Sequence, residues 1–488
     1  MAPPKLSPSH STIAISILFP SEPIHSSVGS EPFVTEQDER TTEEHDMSPT
    51  TRTTRPAAAV AAALALTLGL AACSSSDDSS ATTSPSTSSS PTSDPSATPE
   101  PSEPATAPET VTPMSSGDPF ADARTAANHM PETAKSLAGG FASALMIPGA
   151  VDSPAADLRS GLTALLQEHV YLAGIAVATA YRAGPDSPEF AAASATLDAN
   201  SVDLSKAVGT FSTPKQEAAF LKLWRTHIGY FVDYAVAAKG GDEDGKKKAV
   251  KNLMRYTKDA GSFFETISKG KLPAGDIAKA LEMHITTLTK AIDDLATGSP
   301  DAYTDLHAAA AHVGEGAATI AAGLADSAGL EGDPADKAST LRAQLTGLLQ
   351  EHVYLASVAV FTAYTTEGGT DSASFKAAAG ALDDNSVALS DAVGSLAGDD
   401  KGQAFLALWR EHIGYFVDYA SALAAQDDDA AVAALTSLDA YRGEAGSFFA
   451  EISGGALPAD AIADGLAMHV QTLAGAIMSL DKALVQKS

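Results

Sequence analysis

Twelve histidines stand in the 488-residue chain, and eight of them fall into four pairs. His129 with His312 and His169 with His352 are 183 residues apart, while His227 with His412 and His284 with His469 are 185 apart. Three others lie in the first 46 residues, and only His307 has no histidine opposite it. A neutral imidazole offers one lone pair to a metal. Three of them with an open fourth position suit Zn, Cu or non-haem Fe, whereas hard Ca and Mg require oxygen ligands.

At 100° per residue, His169 shares its helix face with Leu165, Leu166, Leu172, Ala173 and Ala176. His227 lies with Phe220, Leu223, Trp224, Phe231 and Tyr234, and His284 with Ile277, Leu281, Leu288 and Ala291. Asn200 lies with Leu197, Leu204 and Ala207, and Asn385 repeats it. Four helices therefore each place one polar side chain on an inward apolar stripe near mid-helix. In an antiparallel bundle these positions come to one level. Buried polar groups must bind one another, water or a ligand, so His169, His227 and His284, with His352, His412 and His469, are the candidate metal ligands. Glu168 and Asp233, repeated as Glu351 and Asp418, lie about 100° to 120° off those stripes; they are expected either to steady the metal-binding imidazoles, with Asn200 and Asn385, or to contact adjacent helices. His129 and His312 precede an expected helix break, with Asp122 and Glu132 beside His129, and offer a shallow secondary metal site or a charge-paired structural group. Trp224, Tyr230, Phe231, Tyr234, Phe263 and Phe264 follow helical spacing and read as core. Met283 and Met468 adjoin a histidine and add only a weak argument for Cu(I).

The elements that carry these residues are written twice. LLQEHVYLA spans Leu165–Ala173 and Leu348–Ala356, and HIGYFVDYA spans His227–Ala235 and His412–Ala420. Trp224 matches Trp409, and the Gly-Ser-Phe-Phe at Gly261 matches that at Gly446. A period this long marks a domain duplication. No stretch alternates with period two, so the expected fold is all-α: two tandem, internally duplicated antiparallel helical bundles of about six helices each. The repeats cover residues 118–299 and 301–486. In the first, the spacing predicts helices near 118–145, 155–182, 187–210, 214–239, 244–268 and 274–296. Pro131, and Gly314 at the equivalent place, should break the first helix of each repeat, and Pro273 and Pro458 should open the last.

Ahead of the repeats, Arg52 and Arg55 precede an apolar run from Ala57 to Leu70 that is shorter than the roughly 20 residues of a membrane span. This is the pattern of a secretory signal at 47–72. Leu70, Ala71, Ala72 and Cys73 resemble the bacterial lipobox, and the only cysteine of the chain falls at the lipidated position. Residues 1–46 are acidic and proline-containing, so translation is expected to begin at Met47. Residues 73–117, rich in Ser, Thr, Pro and Asp, read as a disordered tether. The expected location is the extracytoplasmic face of the cell membrane, anchored through Cys73.

A formal charge of -30 would repel nucleic acid along the whole chain. One cysteine excludes disulfides, CxxC redox sites and cysteine metal cages. No HExxH, GxSxG or phosphate-binding glycine loop is present, no inward ExxH pair repeats, and no nucleophile or general base supports an enzyme. Haem held by two histidines is an alternative that needs more room than an alanine-rich interior readily offers.

The EHVYLA phrase and Trp224-x-x-His227-Ile228-x-x-Phe231, with their second copies, resemble a group of secreted bacterial helical proteins often labelled copper amine oxidase. The resemblance covers both repeats and implies copper or another metal at His169, His227, His284 and their partners. True copper amine oxidases are large β-rich enzymes with an Asn-Tyr-Asp/Glu cofactor motif and a His-x-His pair, and this chain has neither, so no oxidase activity is implied. Two functions follow from the residues: a lipid-anchored protein storing, delivering or sensing a transition metal, or a structural or interaction lipoprotein whose buried histidine layer fixes helix register. The protein partner is unknown.

Overall fold

Helix starts are set by side-chain caps. Ser153, Ser187 and Thr213 accept the backbone N–H of Ala156, Phe190 and Gln216, and a proline follows each as the first helical residue. In the second repeat Asp336 and Ser372 accept the backbone N–H of Ser339 and Phe375 without a proline. Helix ends are set by left-handed glycines such as Gly241, Gly298 and Gly329.

The computed structural model describes residues 111–486. The expected leader at 1–72, the lipid attachment at Cys73 and most of the tether lie outside these residues. The elements are α1 (Pro119–Asn128), α2 (Met130–Ala144), α3 (Pro154–Ala183), α4 (Pro188–Gly209), α5 (Pro214–Gly240), α6 (Glu243–Ile267) and α7 (Ala274–Thr297). Then come α8 (Ala302–Ala328), α9 (Lys337–Thr365), α10 (Ala373–Ala397), α11 (Asp399–Ala425), α12 (Asp428–Ile452) and α13 (Ala459–Leu484), with one 3₁₀ turn at Gly369–Asp371. The fold is all-α, and no strand occurs among the described residues. The helices α3 and α13 are long and apolar enough to cross a membrane, but most of each apolar stretch is buried in the interior.

The tether was expected to end near residue 117, yet the chain is already held from Val111, which is buried. The Met114 N–H donates to the Gln471 carbonyl at 2.9 Å. The expected break at Pro131 is present: α1 stops at Asn128, and α2 starts after His129. No break occurs at Gly314, and α8 runs unbroken past it. Proline removes a helical N–H and clashes one turn back, whereas glycine costs only about 1 kcal/mol. Gly314 serves close packing instead, since a Cβ there would lie 3.2 Å from the Gln167 side chain on α3.

The helices α3 to α7 follow one another as antiparallel neighbours, and α9 to α13 repeat the arrangement. The leading helices are exchanged. The chain sends α8, which opens the second repeat, along α3 and α7 of the first. There Ala317, Ala321 and Leu324 are buried with Leu162, Phe264 and Ile277, and Lys271 pairs with Asp326 at 2.7 Å. In the same way α1 and α2, which open the first repeat, lie on α9 and α13 of the second. Phe141 meets Phe449 edge to face at 6.3 Å. The first half thus contains α3 to α7 with α8 of the other repeat, and the second contains α9 to α13 with α1 and α2 of the other.

The two halves share one apolar core, which runs from Leu253 and Leu288 to Leu438 and Leu473. At its centre α3 crosses α9, with the rings of Tyr171 and Tyr354 stacked 5.5 Å apart and 6° from parallel. Ser160 and Thr346 hydroxyls bond across the same contact at 2.7 Å.

Candidate metal centres

Three helices deliver one histidine each to a common point. His169 comes from the middle of α3, His227 from α5 and His284 from α7, and each is at most 5% exposed. Two features set the spacing of the helices around this point. A Cβ at Gly261 would lie 2.3 Å from the carbonyl oxygen of Ala274, so only glycine lets α6 approach the start of α7, and Gly446 repeats this at Ala459. The Tyr181 hydroxyl donates to the Ala235 carbonyl at 2.8 Å and fixes α3 against α5, as Tyr364 does with Ala420.

The candidate ligand nitrogens of His169, His227 and His284 lie within 4.8 Å of one another, and those of His352, His412 and His469 do the same. Nε2 of His227 faces Nε2 of His169 at 3.4 Å, and Nε2 of His412 faces Nε2 of His352 at 3.3 Å. Imidazole nitrogens around a tetrahedral ion sit roughly 3.3 Å apart, given metal–nitrogen bonds of about 2.0–2.1 Å. The triads therefore need only a small contraction to close on an ion. The Nδ1 atoms of His169, His284, His352 and His469 are buried without a protein partner, the rings of His227 and His412 meet the backbone of Trp224 and Trp409, and His469 has neither ring nitrogen paired.

Burial makes these imidazoles neutral. The charged form is pushed down to about 3 at His169, by desolvation first and by His284 second. Desolvation leads again at His284 and His469, both pushed down to about 4. His227, His352 and His412 are likewise held well below the ordinary value, by burial first and by their neighbouring histidines second. Lone pairs are thus available at neutral pH without a proton to displace, as a metal ligand requires.

The surroundings are aromatic. The Trp224 ring lies 4.8 Å from His169 and 4.5 Å from His227, and Tyr256 stacks on His227 at 4.6 Å and 19°. Trp409 and Tyr441 take the same places in the second half. Trp224 and Phe231, read from sequence as core, are indeed buried, but they also form the walls of the site. Tyr256 and Tyr441 escaped the sequence reading; their matched positions in the two repeats were the available signal. The triad rings are only 5.3 to 6.5 Å apart in the first half, and the cavity beside His469 is about 30 Å³. That is room for one or two waters, far less than a porphyrin.

The other candidates separate from the triads. Asn200 donates to the Leu165 carbonyl at 2.9 Å, tying α4 to α3, and Asn385 donates both to Leu348 and to Glu351. Glu168 is fully buried but turns toward Arg124 on α1, which binds it and also Asp203 at 2.8 Å. Glu351 accepts from His307 Nδ1 at 2.9 Å and from the Tyr171 hydroxyl at 2.6 Å. The glutamates therefore belong to the contact between the halves. Asp233 and Asp418 are exposed on the outer surface. Met283 and Met468 are 51% and 38% exposed and point away from the core.

No family model, no curated protein and no solved structure matches this chain. The reading of the site rests on its own geometry.

Asp122, named beside His129, is turned to other partners. Asp122 is engaged by Ser116 and Ser479, and the His312 Nε2–H donates to the Ala280 carbonyl at 3.1 Å. Because the leading helices are exchanged, His312 stands near His284 and His129 near His469, close enough for each to disfavour the proton on its neighbour.

Proposed function

We propose that this protein is a lipid-anchored, extracytoplasmic carrier of transition-metal ions, holding one ion in each histidine triad for storage, delivery or sensing. The observation that carries the metal reading is the convergence of three neutral imidazoles from three helices within 4.8 Å, twice in one chain. An all-nitrogen set with a fourth position open selects Zn, Cu or Fe over Ca and Mg. The anchoring part rests on the lipobox-like Leu70–Cys73 and the apolar run before it.

The full chain, exposed separately to Zn(II), Cu(II) and Fe(II) and then desalted, should retain two equivalents of at least one of them by elemental analysis. The His169→Ala/His227→Ala/His284→Ala chain should retain one. Retention of none by the wild type would remove the metal reading. Cys73→Ser, expressed in a bacterial host, should move the protein from the detergent-extracted membrane fraction to the soluble fraction.

The second reading is a structural layer, favoured by the short Nε2···Nε2 approach of His169 and His227, which suits a hydrogen bond between two neutral imidazoles. It predicts that His227→Leu is tolerated and that none of these metals moves the melting temperature.

A further inference from the structure

A triad with every member buried poses a problem of access, because an ion must shed water before it reaches ligands that solvent does not touch. In both halves the member most exposed to solvent is the histidine of the last helix: His284 at 5% against 1% and 2%, and His469 at 2% against 0% and 1%. The exchanged leading helix runs past that member in each half. In the first, Gly314 of α8 sits against Gln167, two residues before His169, and Val313 packs into both apolar clusters. His312 is half-buried, and its Nε2–H is held by the carbonyl of Ala280 on α7. Ala280 lies one helical turn before His284, on the side toward which helical side chains lean. With Nε2 bound as a donor, Nδ1 of His312 carries the lone pair.

The second half repeats the placement. His129 is half-buried at the joint between α1 and α2 and does not cap α2. Met130 and Thr133, which follow it, line the same cavity as His469.

We infer that His312 and His129 are gate ligands, which capture an ion at the surface and pass it to His284 and His469 respectively, each serving the triad of the other repeat. The inference rests on the reading that the triads bind metal. It assigns the matched pair 129/312 a role in loading, and it makes each metal centre depend on a helix from the opposite copy. The transfer is a ligand exchange with no redox change: one imidazole–metal bond breaks as the next forms, and waters leave the ion as the triad closes.

The chain has two tryptophans, Trp224 and Trp409, and each packs against one triad. Cu(II) quenches a nearby indole, so the full chain carrying Trp409→Phe reports the first site and that carrying Trp224→Phe the second. In stopped-flow mixing with Cu(II), His312→Ala should slow quenching of Trp224 by about ten-fold or more, the scale on which losing a neighbour of a metal site is felt. Release to a chelator should slow by the same factor, with Kd and the two-equivalent stoichiometry unchanged, and the Trp409 site should load at its normal rate. His129→Ala should do the converse. His312→Gln, which can still donate to Ala280, should load as slowly as His312→Ala, which separates ligation from a structural role. Unchanged loading in His312→Ala overturns the inference, as does a weakened Kd at unchanged loading rate, while the triads still hold metal. Absence of any metal uptake by the wild type would instead bring down the metal reading, and this inference with it.

Discussion

Arg124 and His307 occupy the same position of the two repeats, and each binds the buried glutamate of its own repeat, Glu168 and Glu351. The histidine without a matching histidine is therefore matched after all, by a cation that never titrates. One copy of the contact is permanently charged, and the other depends on pH.

That asymmetry predicts a pH response. The Glu351 carboxylate, hydrogen-bonded to His307, raises its imidazole above the ordinary value of 6.5. A group raised on folding gives its full stabilisation below the unfolded pKa and loses it as pH climbs through the folded one. The melting temperature should therefore fall as pH rises above 6.5 through that value. His307→Arg should flatten the dependence, and an unchanged slope in that variant would refute the assignment.

The triads act in the opposite direction. Their folded pKa values lie far below 6.5, at about 3 for His169 and about 4 for His284 and His469. Such groups cost nothing above the unfolded value and destabilise progressively as pH falls below it, by about 1.4 kcal/mol per pH unit for each histidine while the folded form stays neutral. Urea unfolding of the metal-free chain should show stability declining steeply from pH 6.5 toward 4. The triple Ala variant of one triad should decline less steeply, and bound Zn(II) should delay the decline until protons compete for the ligands.

Glu168 is fully buried and depends on Arg124 for its countercharge. Arg124→Met should destabilise the chain by about 3–5 kcal/mol, because it strands a buried carboxylate. Arg124→Met/Glu168→Met should recover most of that loss. Chemical denaturation of the two variants checks both statements, and a single variant no worse than the double would contradict them.

Glycine substitutions test the packing that sets α7. Gly261→Ala places a Cβ against the Ala274 carbonyl and should cost about 1–3 kcal/mol as the helices separate. Gly229→Ala, on α5 with open space around it, should be neutral or stabilising by up to about 1 kcal/mol. Thermal unfolding of the pair gives the comparison, and a metal site retained at full affinity in Gly261→Ala would mean that α7 is held by other contacts.

Much of this was legible in the amino-acid order, because caps and periodicity act locally. Ser153-Pro154, Ser187-Pro188, Thr213-Pro214 and Pro273 mark starts that the structure places within a residue or two, and the apolar stripes around His169, His227 and His284 put all three inside. The exchange of leading helices was not legible. The two repeats present nearly the same docking face, so local pattern cannot tell which copy a leading helix joins. Linkers decide it: the four residues Gly298–Asp301 keep α8 beside α7, while residues 145–153 let α2 leave α3. The glutamates were ambiguous for a related reason. A residue 100° off the inward stripe faces whichever neighbour arrives, and for Glu168 and Glu351 that neighbour comes from packing between the halves.

The exchange also sets an order of events for a chain made from its N-terminus. Once residue 328 has been synthesised, the three helices that carry the first triad and the exchanged α8 are all present, although α3 still lacks its contact with α9. The first helices made wait longest. Buried Met130, Leu137 and Phe141 of α2 find most of their contacts on α9 and on residues such as Phe449 of α12, far later in the chain, and such distant pairings form slowly. Until α9 arrives, the apolar face of α2 is bare and open to capture by another chain. The second histidine triad therefore closes late, only when α13 brings His469 to His352 and His412.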